Sequence, residues 1–265
     1  MEMKNIKLFP NYNERSLQLA EELSNKLIAS GYTLTDKDYD LAIAIGGDGS
    51  YLRMVKNNSF NEFIHYIGVN TGTLGFLQEV NPNELDNFIE KLGNHFYKVE
   101  PVSIQETTIT TNETKDSFYS LNEIAIRNAN MRIANLDVYI DSVLLENFVG
   151  DGLLIATSIG STAYNISLGG SIVYSDLHTL QLTPIAPLNT VSYRNLLNSI
   201  IIPEDKKIEI IPNKQNNNLM IAIDGETKNY DQVEKIETGV SKKKIKCLRL
   251  KDYNYTNIIH DKFLK

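Results

Sequence analysis

LAIAIGGDGSYL, Leu41 to Leu52, is the stretch on which the reading of the fold turns. Leu41-Ala42-Ile43-Ala44-Ile45 has no polar residue, as expected of a strand covered on both faces in a parallel sheet. Gly46, Gly47 and Gly49 then allow a tight turn and a close backbone approach to a ligand. Ser50 is expected to cap a short helix over Tyr51-Leu52-Arg53-Met54-Val55. A strand, a glycine-rich turn and a helix N-terminus together suit phosphate. Asp48 stands apart in this scheme, because a carboxylate repels phosphate unless it has separate work to do.

The flanking sequence alternates strand and helix. Ile6–Phe9 reads as a strand. Glu14–Ser30 reads as an amphipathic helix with Leu17, Ala20, Leu23 and Leu27 on one face and Gly31 as its stop. Ile64–Val69 is a third strand, followed by the glycine-bearing NTGTLGFL at 70–77. In NPNELDNFIEKLGN, Asn81 is a cap, Pro82 takes the first helical position, Glu84 closes a capping box and Gly93 terminates. This alternation predicts an α/β domain over 1–100 with a doubly wound, Rossmann-like parallel sheet. From Pro101 the pattern changes to short β-rich runs, among them VSIQETTITT, SFYSLNEIAI, LDVYIDSVLL, KKIEIIP, LMIAIDGE and KKIKCLRL. They predict a β-rich C-terminal domain over 101–248. The tail, 249–265, carries a short helical pattern in YTNIIHDKFLK and is expected to pack back on the first domain.

A chain of 265 residues suits one large domain or two ordinary ones, and its 42% hydrophobic and 22% charged content is that of a globular protein. The net charge of −7 argues against general binding to nucleic acid or an anionic membrane. Any anionic ligand must meet a local patch of backbone amides and a few cations. The single cysteine, Cys247, lies in an alternating run and reads as a packed strand residue. No apolar run reaches membrane-spanning length and the start lacks a signal-peptide core, so a cytoplasmic protein is expected.

Several segments bear on chemistry. Gly46–Ser50 lacks the lysine of a P-loop and the spacing of a dinucleotide GxGxxG, and as a bare pattern it also fits an ordinary strand-exit turn. GDGLLIATSIGSTAYNISLGG, Gly150 to Gly170, places Asp151 between glycines before an apolar strand. It then gathers Thr157, Ser158, Gly160, Ser161 and Thr162 near a helix start, where amides and hydroxyls can bind the polar parts of a nucleotide. A capped helix ended by Gly169 is the plainer alternative. Asn122-Glu123, adjacent polar residues in an apolar run, should point to opposite faces if the strand continues through them; a strand-end turn is the alternative. Asp224-Gly225 reads as a plain hairpin turn. The four histidines show no metal-ligand spacing, and no Gly-x-Ser-x-Gly elbow is present.

Taken in order, Gly46-Gly47-Asp48-Gly49-Ser50, NTGTLGFL, Asn122-Glu123, Gly150-Asp151-Gly152 and GSTAYNISLGG resemble the NAD kinase family. The resemblance implies transfer of the γ-phosphate of ATP, or of another donor such as polyphosphate, to the 2′-hydroxyl of the adenosine ribose of NAD, giving NADP. It implies that Asp48 is the catalytic base and that Gly46, Gly47, Gly49 and Ser50 form the phosphate loop. It further implies NAD contacts from Asp48, Gly49, Arg53, Phe76, Leu77, Asn122, Glu123, Asp151, Thr162, Ala163, Tyr164, Ser167, Ala186 and Leu188, some of them supplied across a subunit interface of a homotetramer. A divalent cation, Mg²⁺, is expected to arrive with the donor phosphates, because no dense carboxylate cage is visible. Three positions depart from the family pattern: Val149 replaces a common Lys or Arg, Thr157-Ser158-Ile159-Gly160 lacks the usual proline, and Glu226 stands for Gln or Asn. Two other classes share features of this pattern: a lipid kinase with the same glycine-aspartate loop, and a non-catalytic NAD-binding sensor.

Overall fold

The structure, a computed structural model, describes residues 3–72 and 75–265. The chain forms two compact units: residues up to Val102 together with Lys244–Lys265, and Ser103–Lys243. In chain order the first unit contains β1 (Asn5–Pro10), α1 (Glu14–Ala29), β2 (Thr33–Leu34), β3 (Leu41–Ile45), α2 (Asp48–Asn57), β4 (His65–Val69), α3 (Leu85–Gly93) and the start of β5 (Tyr97–Thr111). The second unit continues with β6 (Lys115–Ser120), β7 (Glu123–Asn128), β8 (Ala134–Ile140), β9 (Val143–Thr157), the four-residue α4 (Tyr164–Ser167), β10 (Thr179–Pro187), β11 (Ile200–Pro203), β12 (Lys207–Pro212), β13 (Leu219–Ile223) and β14 (Glu226–Tyr230). β15 (Val233–Leu250) begins in the second unit and ends in the first, which α5 (Tyr255–Phe263) completes.

The first unit is the predicted parallel α/β sheet, with strand order β2-β1-β3-β4-β15 and every pair parallel. All five residues of β3 are fully buried. Leu41, Ile43 and Ile45 join Ile67 and Val69 beneath Leu19, Leu23 and Leu27 of α1 and Phe88 and Leu92 of α3. Strand side chains alternate, so Ala42 and Ala44 face the other way. There α2 packs closely on β3 and buries Tyr51, Met54 and Val55. The sheet is thus covered on both faces, which is why β3 needs no polar residue.

The α1 stripe differs from the expected one. Leu17 is half exposed, and the buried set is Ser16, Leu19, Leu23 and Leu27. At about 100° per residue, Leu17 lies nearly opposite Leu19 around the helix. The expected capping box at Asn81 and Glu84 is present, over a single 3₁₀ turn that leads into α3. The C-terminal end of β15 explains why Lys244–Leu250 belong to the first unit, although the sequence pattern predicts a β domain running to 248. Lys246 and Cys247 pair in parallel with His65 and Tyr66 of β4, and Leu248 and Leu250 enter the same core as α1 and α3. Cys247 is buried, as expected, against the Tyr51 hydroxyl at 3.0 Å.

The second unit is β-rich, with antiparallel order β14-β13-β7-β9-β8-β12-β15 and β10 on β9. β9 is its spine, because Leu153–Ala156 are fully buried on both faces. Leu153 and Ile155 join the main core with Ile124, Ile126 and Phe148. Leu154 and Ala156 pack with Ala125 and Ile185 on the opposite side, where Leu168, just after α4, leans against them.

Candidate active site

In the first unit the helix after the glycine turn starts earlier than expected. Gly47 is the cap residue and contributes no side chain, Asp48 is the first helical residue, and Ser50 lies buried in the first turn. The expected Ser50 cap is therefore corrected. The extended Gly47 already lets its carbonyl accept the first helical hydrogen bond, from Ser50 N at 2.9 Å. Gly47 and Gly49 are exposed at this N-terminus, where the helix dipole favours negative charge.

The question posed by Asp48 has a geometric answer. Its Oδ2 accepts from Phe76 N and its Oδ1 from Leu77 N, each at 2.9 Å. Gln78 Nε2 donates to Gly47 O at 2.8 Å, so the two ligand-motif loops of this unit are bound into one piece. Gly75 is required beside the carboxylate, since a Cβ there would stand 1.9 Å from Asp48 Oδ1. Thr73 and Leu74 of NTGTLGFL lie outside the described residues. Phe76 is half-buried with its ring 5.4 Å from that of Phe263 in α5, whereas Leu77 is buried. Arg53 is held by Asn11 Oδ1 at 3.3 Å and lies 4.9 Å over the Tyr12 ring.

In the second unit, Asn122 and Glu123 are not mid-strand. Asn122 lies in the β6–β7 connection and Glu123 opens β7, so both side chains stay almost buried, 8% exposed each. This connection is gripped from two sides. The Asp224 carboxylate accepts from Leu121 N at 2.8 Å, Asn122 N at 2.7 Å and Glu123 N at 3.2 Å. Thr157 donates its hydroxyl to Leu121 O at 2.6 Å and its N–H to Asn122 O at 2.8 Å. Gly160 fits beneath, where a Cβ would come within 1.9 Å of Asn122 O. The Glu123 carboxyl is pushed up to about 7 by burial and then by the Asp224 charge, while the Tyr164 backbone N–H, which donates to it, opposes the rise. Its Oε2 is buried without a hydrogen-bond partner. Such an atom costs free energy unless a ligand supplies a donor.

Of the hydroxyl-rich segment, Thr162 and Ala163 are half-buried, and Tyr164 and Ser167 are exposed at α4. Thr157, Ser158 and Ser161 are satisfied inside the fold: the Ser158 hydroxyl donates to Leu177 O, and Ser161 Oγ accepts from Val173 N at 2.9 Å. Asn165, fully buried, organises the turn by donating to Ser161 O at 3.1 Å and Ser171 O at 3.3 Å and accepting from the Thr183 hydroxyl at 2.6 Å.

Asp151, Ala186 and Leu188 form a separate group. β9 and β10 pair Gly150 with Pro187 and Gly152 with Ile185, which sets exposed Asp151 opposite exposed Ala186; Leu188 N bonds Val149 O at 2.8 Å. Thr157 lies six residue steps along β9 from Asp151, about 20 Å at the usual rise. Val149 is buried, its backbone held by Asn195 at 3.0 Å in both directions. Asp224, Asn165, Gln78 and Arg127, which donates to the Tyr164 hydroxyl at 2.9 Å, were not legible as site residues. Asp224, Gln78 and Arg127 act on segments distant in sequence, and Asn165 acts within its own turn and on Thr183; only the hairpin signature at Asp224 had a local trace. Among the described residues no group of three or more His, Cys, Asp or Glu could hold a metal ion.

Comparison with known proteins agrees along the chain. Residues 3–97 match the ATP-NAD kinase N-terminal domain and residues 121–250 the ATP-NAD kinase C-terminal domain. The NAD kinase of Finegoldia magna is 38% identical over 98% of both chains, and that of Streptococcus gordonii is 33% identical over 98% of this chain and 96% of its own. Among solved structures, yeast NADH kinase complexed with NADH superposes with a TM-score of 0.84 at 20% identity, covering 99% of this chain and 88% of that one. An Archaeoglobus fulgidus NAD kinase in complex with ATP gives 0.76 at 23% identity, covering 97% of each. These two show the shared fold. Both family domains in order, and relatives above 30% identity over nearly the whole length, establish that the chain belongs to the NAD kinase family.

Proposed function

We propose that this protein is an NAD kinase, transferring the γ-phosphate of ATP to the 2′-hydroxyl of the adenosine ribose of NAD to give NADP. The observation that carries this reading is the 38% identity to a curated NAD kinase over 98% of both chains. The lipid-kinase and sensor alternatives draw no support from these likenesses. The exposed Gly47–Gly49 backbone at the α2 N-terminus suits the phosphates. Asn122, Glu123, Thr162, Ala163, Tyr164 and Ser167 suit the polar parts of NAD, with Glu123 Oε2 as a ready acceptor for a ligand hydroxyl.

Phosphoryl transfer depends on positioning and charge stabilisation. Asp48 retains further acceptor capacity on each oxygen beside its bonds to Phe76 and Leu77, and takes the proton of the attacking 2′-hydroxyl. In this reading a divalent cation is carried in on the donor phosphates. Bound Mg²⁺ would supply neutralisation of the phosphate charge.

The active form in this reading is a cytoplasmic homotetramer. Asp151, Ala186 and Leu188 lie apart from the Asn122–Tyr164 group, which suits their serving a neighbouring protomer. The loop after β10 exposes Val191 completely and Tyr193, Leu196 and Leu197 at 40–54%. Among the described residues no helix is long and apolar enough to cross a membrane. Incubating purified protein with NAD, Mg²⁺ and each candidate donor, and measuring NADP, tests the reaction; no NADP with any donor overturns it. Sedimentation tests the assembly, a monomer at micromolar concentration being the contrary result.

A further inference from the structure

We infer that Asp224 is a positioning residue: through three backbone N–H groups it sets where the Asn122 and Glu123 side chains stand. The inference rests on the reading of that pair as an NAD contact. The carboxylate sits in the β13–β14 hairpin at a left-handed φ of +47°, and its two oxygens collect Leu121, Asn122 and Glu123 N–H at 2.7–3.2 Å. Asp224 N in turn donates to Glu123 O at 3.0 Å, closing the contact in both directions. A hairpin turn needs none of these bonds to reverse the chain. Three N–H groups on one carboxylate, in a connection otherwise held only by its carbonyls, fix the backbone from which both ligand-facing side chains spring.

The charge of Asp224 also reaches Glu123. The groups around that carboxyl are Asp224 from the hairpin, the Tyr164 N–H from α4 and Ala156 opposite on β9. Beyond them stand Arg127, on the Tyr164 phenol, and exposed Glu226. Of these, the Asp224 charge acts with burial to keep Glu123 protonated to higher pH. Asp224 therefore sets the place of the pair and adds to the effect of burial on the Glu123 proton.

The variant that separates positioning from turn formation is Asp224→Asn. Asparagine tolerates left-handed backbone as aspartate does, but it has one acceptor oxygen where three donors converge. Misplacing a binding group by about 1 Å can cost a hundredfold. The expected result is a rise of at least about tenfold in KM for NAD, with KM for the phosphate donor within about twofold of wild type. In nucleotide-free protein, carbon-13 NMR of glutamate carboxyls, with Glu123 identified by its loss in Glu123→Gln, should show Glu123 titrating at lower pH in Asp224→Asn than in wild type. Gly225→Ala strains the same turn, at φ +85°, but keeps the carboxylate; it should lower stability and leave the Glu123 titration in place.

Unchanged KM for NAD together with an unmoved Glu123 titration would overturn the inference. Should Asp224→Asn fail to fold, hydrogen exchange at the Leu121, Asn122 and Glu123 amides of wild type decides. Protection supports the clamp, and exchange at open-loop rates overturns it. If wild type forms no NADP, the functional reading fails, while the NMR and exchange measurements still report on Asp224.

Discussion

Asp48 in the first unit and Asp224 in the second use one device: a carboxylate gathers backbone N–H groups from a loop distant in sequence. Their surroundings differ. Asp48 opens α2, where the helix dipole favours its negative charge, and it holds two N–H groups, leaving acceptor capacity for a substrate. Asp224 stands in a hairpin, holds three N–H groups, and lies beside a second, buried acid whose proton it helps retain. In the reading proposed above, the first carboxylate carries the chemistry and the second the geometry.

The sharpest way to break that contrast is Asp48→Asn. Positioned bases contribute about 10²–10⁴-fold, so kcat should fall at least about a hundredfold. Asparagine also loses an acceptor for Phe76 or Leu77, so a modest rise in KM for NAD is expected alongside. A rate within tenfold of wild type, or full rescue across a Mg²⁺ series, would make Asp48 a clamp like Asp224.

A second variant probes the far end of the same first-unit loop. Glu79 follows Gln78, and its carboxylate takes the Leu250 N–H and faces Arg249, which is 4% exposed and also bonds Glu100 at 3.2 Å. Burial pushes Glu79 up to about 7 despite the guanidinium. Removing one member of such a buried cluster costs about 3–5 kcal/mol. Arg249→Met should lower the denaturation midpoint correspondingly; a loss under about 1 kcal/mol would show that the bonds of Asp48 and Gln78 hold the loop without this cluster.

The acid beside Asp224 gives a pH signature. Glu123 rises from 4.5 to about 7 on folding, so the folded state keeps a proton that the unfolded chain releases over that interval. This contribution to stability is complete below about 4.5, declines as pH rises and is gone above about 7. Glu123→Gln escapes the decline. Its melting temperature relative to wild type should climb from pH 5 to pH 8, by the equivalent of about 2 kcal/mol; a flat difference would mean that neither burial nor Asp224 raises Glu123. An effect of similar size is expected at Tyr164→Ala, where a lost aromatic contact weakens NAD by about 1–3 kcal/mol and leaves donor binding unchanged. Unchanged NAD affinity by calorimetry would mean that Tyr164 serves only to support Arg127.

What was legible in the sequence was whatever is local. The unbroken apolar run of β3, the glycines around Asp48 and the capping box at Asn81 each carry their meaning within a few residues. Asp224 could not be read in this way, since its three donors lie about a hundred positions earlier. Asn165, within the most informative segment, looked like one polar residue among many because Thr183 and Ser171, its partners, are set by folding. The hydroxyls of Thr157, Ser158 and Ser161 promised ligand contacts on composition alone, whereas tertiary packing directs them to carbonyls and amides within the unit. The Leu17 reading failed because several phases of a helical stripe fit a leucine-rich stretch until its partner is known.

The return of β15 to β4 has a consequence for how the molecule is made. Parallel pairing of Lys246 and Cys247 with His65 and Tyr66 joins residues far apart in the chain. As the nascent chain leaves the ribosome, β4 has its β3 neighbour early, and its Gly68–Asn70 end bonds the Glu79–Val80 segment. Its His65–Tyr66 end keeps the other edge open until the entire second unit has been translated. Long-range parallel contacts form slowly, and an open edge invites pairing with other chains. The first unit to be synthesised is thus the last to be sealed, once the end of β15 has emerged.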